Sequence, residues 1–453
     1  MDAIRWILTG GPIPLCLLLC GGFFLIYLRM CPFLCPKRMI DALKKSPTEG
    51  VSPFRAVTLA LAGTLGVGNI VGVASALLIG GAGAIFWMWI SAGLAMILKY
   101  AEILLAVKHR RVRRDGCCYG GAVYYIKGYF EGAGHAKIGR VLAIVFSALM
   151  ILDALCMGCM IQVNAIASSL EGVLGVSPAL CGLLLLLLTF PVILRGSKGI
   201  SALTEYLVPI MSLGYLILSL AVLWLCRDAL LSTLCRIVSE AFSPMGAAGG
   251  VWGFLTSRAL RVGTMRGILS NEAGCGTAPT AHATAKTDSP AAQGVWGIFE
   301  VFVDTIVLCT VTALVILLAF PDLHDFGLSP TLMTVNAYSS VLGSWAGYFL
   351  CAAIFCFGYA TVICWAGYGA ESLRAISKKK RYLALYFLLF GICLLLGVRS
   401  APSYAWDVAD FSIASLTAIN LAVLLLMRRE IKQETDRFFS KKAPRPPQNE
   451  KRP

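Results

Sequence analysis

Long apolar runs separated by short polar stretches repeat along the whole 453-residue chain. A helix needs roughly 20 predominantly apolar residues to cross a bilayer. Eleven segments meet that measure, at about 4–30, 53–80, 83–108, 140–170, 177–195, 200–226, 248–276, 292–320, 341–374, 380–397 and 408–428. The pattern predicts an all-α polytopic membrane protein of about 11 transmembrane helices. With the first segment set aside, the other ten divide into two fives. The chain then divides into an extra helix and cytoplasmic loop (1–52), a first repeat (53–226), an extracellular connection (227–247), a second repeat (248–428) and a tail (429–453).

Each five opens on a segment that glycines interrupt. The first carries AGTLGVGNIVG at 62–72, with four glycines, a threonine and an asparagine. Glycine costs a helix interior roughly 1 kcal/mol relative to alanine. The second carries RALRVGTMRGILSNEAGCG at 258–276, with its break at Gly263-Thr264 or nearer Asn271. Five segments per half give the halves opposite orientations. Glycine-interrupted segments at matching positions of two such halves point to an inverted-repeat transporter with a site at the membrane midplane. A broken helix exposes carbonyls at the end of its first half and amides at the start of its second, and in lipid both need partners. Carbonyls can hold a cation, and amides an anion such as a carboxylate. The competing reading is close helix packing, for which Gly68 and Gly72 have the small-xxx-small spacing.

Composition strengthens the membrane reading. The chain is 58% hydrophobic and 14% charged, against about 25% charged in soluble domains, and its mean hydropathy is +0.78. The first segment is too long for a signal-peptide core and no Ala-x-Ala-like site follows it, so it reads as retained. A net charge of +15 invites a nucleic-acid reading. Topology explains it better. With the N-terminus outside and the C-terminus cytoplasmic, the inner connections hold 32 of the 39 Lys and Arg, which is the positive-inside bias of a multi-pass plasma (inner) membrane protein. The basic, proline-rich tail reads as disordered and close to anionic lipid. Arg258 and Arg261, inside a segment, should face protein or a water-filled cavity.

Most of the chemistry that would signal an enzyme is missing. Many of the 17 cysteines lie in apolar segments, and Cys156-x-x-Cys159 has no second pair, so packing is the expected role. The four histidines lack metal-ligand spacing. No Walker loop, Gly-x-Ser-x-Gly or His-Glu-x-x-His occurs. No cofactor, catalytic residue or oligomeric state is indicated.

Two long blocks carry a family resemblance. SPFRAVTLALAGTLGVGNIVGVASALLIGGAGAIFWMWISAGLAMILKYAEILLAVKHR at 52–110 resembles the opening half of the alanine/glycine:cation symporters (sodium:alanine symporters). RGILSNEAGCGTAPTAHATAKTDSPAAQGVWGIFEVFVDTIVLCTVTALVIL at 266–317 resembles that family's other dense block. Weaker matches lie at MIQVNAIASSL, 160–170, and TVICWAGYGAESL, 361–373. The resemblance implies a LeuT-like five-plus-five inverted repeat. It also implies a site: Thr64 and the amides of Gly66, Val67 and Gly68 for a carboxylate, with Asn69 facing substrate or ion. Gln162 would contact substrate and Trp365 would limit its size. Gly263 and Thr264 would lie near the path, with Asn271 and Glu272 as path, gate or capping residues.

For sodium, the resemblance implies carbonyls of Ala62 and Leu65 on one side and Phe357 and Thr361 on the other. FGYAT at 357–361 departs from the family's usual Phe-Ala-Phe-Ser-Thr, because Ala360 stands where a serine is usual. Cys159 stands where asparagine is usual. Asp153, inside an apolar segment, is a functional candidate by position, as a proton carrier or as a structural partner. Glu300 and Asp304 lie one turn apart, and Asp304 could hold a cation, lock a gate or pair structurally. The expected function is sodium-driven symport of a small neutral amino acid, alanine or glycine, by alternating access. The rivals are proton-coupled or sodium-independent transport, and a channel or substrate sensor.

Overall fold

The computed structural model describes residues 12–44, 51–113, 116–242, 258–287, 289–323, 329–399 and 403–440. The starts of the expected segments 4–30 and 248–276, His324 and the tail beyond 440 lie outside them.

Serine-proline pairs punctuate the chain. Ser52, Ser177, Ser289 and Ser329 each accept a hydrogen bond from the amide three residues on, and each precedes a proline at the first helical position. The hydroxyl satisfies an orphan amide, and proline removes another. These pairs open α3 (Pro53–Thr64), α9 (Pro178–Leu194), α14 (Pro290–Val301) and α16 (Pro330–Leu342). Before them come α1 (Pro12–Tyr27) and α2 (Pro36–Lys44). Helix α3 continues through a short turn at Val67–Asn69 into α4 (Val71–Gly80), bent by 61°. Then follow α5 (Gly83–Lys108), a small β1–β2 hairpin (Arg111–Val112 and Cys118–Tyr119), α6 (Ala122–Gly132), and α7 (Ala136–Leu155). A wide π-helical turn at Cys156–Ile161 joins α7 to α8 (Gln162–Leu174).

Beyond α9 lie α10 (Ser197–Leu225), α11 (Arg227–Ala241), α12 (Arg258–Asn271) and the short α13 (Pro279–His282). A second π-helical turn, Phe302–Cys309, joins α14 to α15 (Thr310–Ala319). After α16 come α17 (Ser344–Ile376), α18 (Lys380–Gly397), α19 (Ser403–Leu426) and α20 (Arg428–Phe439).

Among the described residues seven helices are long and apolar enough to cross a membrane, and the bent α3–α4 pair makes an eighth. Helices α1 and α9 are shorter apolar helices, and the expected span 248–276 is described only from α12 onward. Helix α5 is the centre of the bundle, 83% buried over its apolar window, whereas α18 is 28% buried. The outer helices turn leucine and isoleucine outward, as Leu183, Leu187, Ile210, Leu213, Leu388 and Leu396 do. An exposed apolar belt of that extent requires a lipid surround.

The structure adds two connecting helices, places one of the segment arginines and changes one expectation. The connections at 227–247 and 320–341 contain α11 and α16. Arg258, the first described residue of α12, is exposed. The tail, expected to be disordered from 429, begins as α20. Its Ile431, Thr435 and Phe439 recur at helical spacing and are buried. Thr435 accepts from the Tyr100 hydroxyl at 3.0 Å, and Lys108 pairs with Glu430 and Glu434. A one-sided apolar stripe overrode the polar composition.

Candidate functional site

The first glycine break falls where the sequence places it. Gly66 donates to the Thr64 carbonyl at 2.8 Å, closing a tight turn between α3 and Val67–Asn69. Helix α17 donates to carbonyls in the last two turns of α3. The Cys364 thiol donates to Leu59 (3.2 Å), the Thr361 hydroxyl to Ala62 (2.9 Å), and the Trp365 indole to Gly63 (3.3 Å). Residues 361, 364 and 365 share one helix face, so one stripe of donors meets one row of acceptors. Thr361 also reaches the Phe357 carbonyl at 3.1 Å. Ala62, Phe357 and Thr361 are thus brought together, with Leu65 and Ala360 fully buried beside them.

The other side of the break exposes amides. Val67 donates to Gln162 Oε1 at 3.0 Å, and Gln162 Nε2 donates to the Met157 carbonyl at 3.2 Å. That carbonyl lies in the π-helical turn, whose widened ring frees backbone groups for side chains. A Cβ on Gly66 would lie 2.6 Å from the Thr361 hydroxyl and 2.8 Å from Gln162 Oε1, so only glycine lets both helices approach. At Gly158 a Cβ would collide with the Trp365 ring. Glycine there is what seats the fully buried Trp365 against the break.

Asn69 faces a neighbour rather than open space. Its Nδ2 donates to Asp304 Oδ1 at 2.7 Å and to the Ser270 hydroxyl at 3.1 Å. Asp304 Oδ2 accepts from Ser270 (2.8 Å) and Thr305 (2.7 Å). One carboxylate on the second π-helical turn therefore ties the first break, through Asn69, to the end of α12, through Ser270.

The second break falls at the later of the two expected places. Gly263 and Thr264 lie inside α12, with Gly263 packed on the α5 backbone at Ala84. Thr264 is buried in the same helix. Helix α12 ends at Asn271, and Glu272 (φ 52°), Gly274 (82°) and Gly276 (79°) turn the chain. Asn271 Nδ2 donates to Thr305, and Glu272 accepts from Thr277 at 2.6 Å. Asp153 is elsewhere: it is fully buried and accepts from Ser412 of α19 at 3.0 Å.

The sequence reading passed over the charges on α5. Lys99 Nζ sits 2.8 Å from the Asn271 carbonyl and 3.3 Å from Glu300 Oε1. Thr64 donates to the same Glu300 oxygen at 3.4 Å, and His282 Nε2 lies 2.8 Å from Oε2. Gln293 Nε2 lies 3.0 Å from His282 Nδ1, so the ring is held between Gln293 and Glu300. One turn along, Glu102 accepts from the Gly276 amide (3.0 Å) and Asn420 (2.8 Å). Lys99 and Glu102 thus hold the two sides of the second break. Two charges three residues apart within a 26-residue apolar helix were the available signal.

Small cavities flank the first break. One of about 20 Å³ is lined by Val67, Gly68, Met157, Gln162 and Ser270. It is large enough for one water and too small for an amino acid. It shares Arg266 and Trp406 with a cavity of about 250 Å³ farther out along α4 and α8, and the Arg266 guanidinium stacks on the Trp406 ring at 5.1 Å. On the opposite side a cavity of about 70 Å³ reaches Leu59, Cys364 and Tyr368.

The chain is similar in sequence and in fold to known proteins. Sodium/alanine symporter AgcS of Methanococcus maripaludis is 34% identical over 94% of this chain and 94% of its own length. The probable sodium/glutamine symporter GlnT of Bacillus subtilis is 33% identical over 91% of this chain and 84% of its own. The crystal structure of MhsT in complex with L-phenylalanine shares the fold, with a TM-score of 0.58 at 15% identity, covering 87% of this chain and 93% of that one. The architecture is thus the LeuT-like one that the resemblance implied. Residues 1–452 match the sodium:alanine symporter family, and the chain belongs to that family of secondary transporters.

Proposed function

We propose that the protein imports a small neutral amino acid, alanine or glycine, together with sodium, by alternating access. Family membership supports sodium-coupled amino acid symport in general. The observation that carries the finer reading is the two-sided break. Within the six residues 62–67, carbonyl acceptors face Thr361 and Trp365 and an amide donor faces Gln162. The acceptor side suits a small hard cation, through Ala62, Leu65, Phe357 and Thr361. The donor side suits a carboxylate, through Thr64, Gly66, Val67 and Gly68. Gln162 occupies the Val67 amide in this conformation, so substrate binding would displace one hydrogen bond and replace it with a charge-assisted one. Trp365 and Met157 close the space beside the break and favour a short side chain. Asn69, Asn271, Glu272 and Asp304 would hold the two breaks in register. The basic connections support a cytoplasmic C-terminus and an outer N-terminus. One bundle of helices would rock against the remaining scaffold about this site, giving alternating access.

A second reading, proton coupling, has one observation in its favour: the carboxylate of Asp153 is buried with Ser412 as its partner. Uptake of radiolabelled alanine into proteoliposomes, under separate sodium and proton gradients, distinguishes the two. Accumulation driven by sodium alone is expected. Uptake indifferent to sodium overturns the proposal, and loss of pH dependence in Asp153→Asn would establish the second reading.

A further inference from the structure

We propose that a basic cavity beside the α17–α18 corner is a binding site for the headgroup of an anionic phospholipid. The cavity measures about 460 Å³ and is walled by three separate parts of the chain. The β1–β2 hairpin contributes Arg111 and Arg113, and α6 contributes Lys127. The end of α17 contributes Arg374, and the corner contributes Lys378, Lys379 and Lys380. Glu371 is the one carboxylate in the described wall, and two guanidinium groups already share it, Arg113 at 2.8 Å and Arg374 at 3.4 Å. Aromatic rings fix the hairpin cations, Arg113 over Tyr119 at 4.8 Å and Arg111 over Tyr124 at 5.7 Å. Helix α18, 18 residues long, starts at Lys380 and points its N-terminal amides toward the same corner. Like charges gathered from three elements into one concavity, with one carboxylate to neutralise them, call for a bound anion.

The rim of the cavity selects the kind of anion. Leu383 forms part of the wall. From there α18 presents Leu385, Leu388, Leu389, Ile392 and Leu396 outward, each more than 40% exposed. Arg381 lies over the ring of Tyr382 at 4.9 Å, at the junction of the polar and apolar parts. A soluble phosphate uses only the basic concavity. A phospholipid uses both parts, with its phosphate among the cations and its acyl chains along the leucine stripe. Basic pockets between helices are the recognised form of such sites on the positively charged side of a membrane protein. The same wall residues Arg113, Tyr119, Glu371 and Arg374 border the neighbouring cavity that leads to Cys364 and Tyr368. A bound headgroup would therefore stiffen the inner mouth of the path.

The full chain, purified in detergent, tests this by thermal unfolding with added phosphatidylglycerol or phosphatidylcholine. Phosphatidylglycerol should raise the midpoint and phosphatidylcholine should not. In K378Q/K379Q/K380Q, whose three lysines are exposed, at least half of that rise should disappear. The control K37Q/K137Q/R140Q removes as many exposed cations elsewhere and should keep the rise. If the corner variant is itself unstable, native mass spectrometry of co-purified phosphatidylglycerol replaces the melt, with fewer lipids retained than in the control. The proposal is overturned by an undiminished rise or undiminished lipid retention in the corner variant. Equal loss in the control, which marks bulk surface charge, also overturns it. So does an equal rise with glycerol phosphate, which marks a free anion.

Discussion

Gln162 Oε1 accepts the Val67 amide at 3.0 Å, so a helix side chain closes the break that a substrate carboxylate would otherwise occupy. The carbonyl oxygen of an amide imitates half of a carboxylate, and it leaves without the cost of separating charges. Gln162→Glu should hold the amide more tightly and repel an incoming carboxylate. Alanine affinity is expected to fall about tenfold or more, equivalent to about 1.4 kcal/mol, with sodium affinity nearly unchanged. Calorimetric titration of both ligands checks it, and unaltered alanine binding removes Gln162 from the site.

The proposed cation side has a single side-chain hydroxyl. Thr361 reaches the carbonyls of Ala62 and Phe357 at once, and neighbouring Ala360 brings only backbone. Thr361→Val should raise the half-saturating sodium concentration about tenfold, and Ala360→Ser should lower it severalfold. Sodium-dependent uptake curves read both. Identical curves for Thr361→Val and the unaltered protein place the ion elsewhere.

Lys99 and Glu300 are fully buried and 3.3 Å apart. Removing one partner leaves a naked charge in the centre of the bundle. Lys99→Met should cost about 3–5 kcal/mol and lower the melting temperature sharply. Lys99→Met combined with Glu300→Gln should recover most of that loss, because neither member of the pair is then left charged without the other. Additive losses in the double variant would mean that the two residues act separately.

Outside the membrane, the docked α20 carries a pH dependence. The hydrogen bond to His109 holds the Glu430 carboxyl below the usual glutamate value, with further help from Lys108. A depressed folded-state pKa stabilises docking at pH above the unfolded value, about 4.3, and that stabilisation is lost as pH falls through the lower folded value. Hydrogen-exchange protection of residues 428–439, taken relative to the intrinsic rate at each pH, should be high near neutrality and lower under acid. Glu430→Gln should exchange faster at neutral pH and lose most of the acid response. An acid response of full size in that variant would assign it to other groups.

The membrane class and the first break were legible because both are local. Apolar runs of spanning length call for lipid, and four glycines in eleven residues weaken a helix at that place. The second break was half legible: glycines marked the segment, but Gly263 packs on Ala84 whereas Glu272–Gly276 turns, and only the neighbouring helix distinguishes those roles. The tail helix was missed because overall polarity concealed a stripe of Ile431, Thr435 and Phe439.

What the tertiary structure alone decided is partnership. Asn69 looked like a ligand in sequence and proves to be bound to Asp304 and Ser270, 235 and 201 residues away. Lys99 went unremarked in the sequence, and its partners are Asn271 and Glu300. The two π-helical turns that present Met157 and Asp304 leave no composition signal. Periodicity fixes which face of a helix is apolar, but a buried charge or an open backbone group is tolerable only when a distant residue satisfies it. That condition belongs to the packed bundle and not to any one segment.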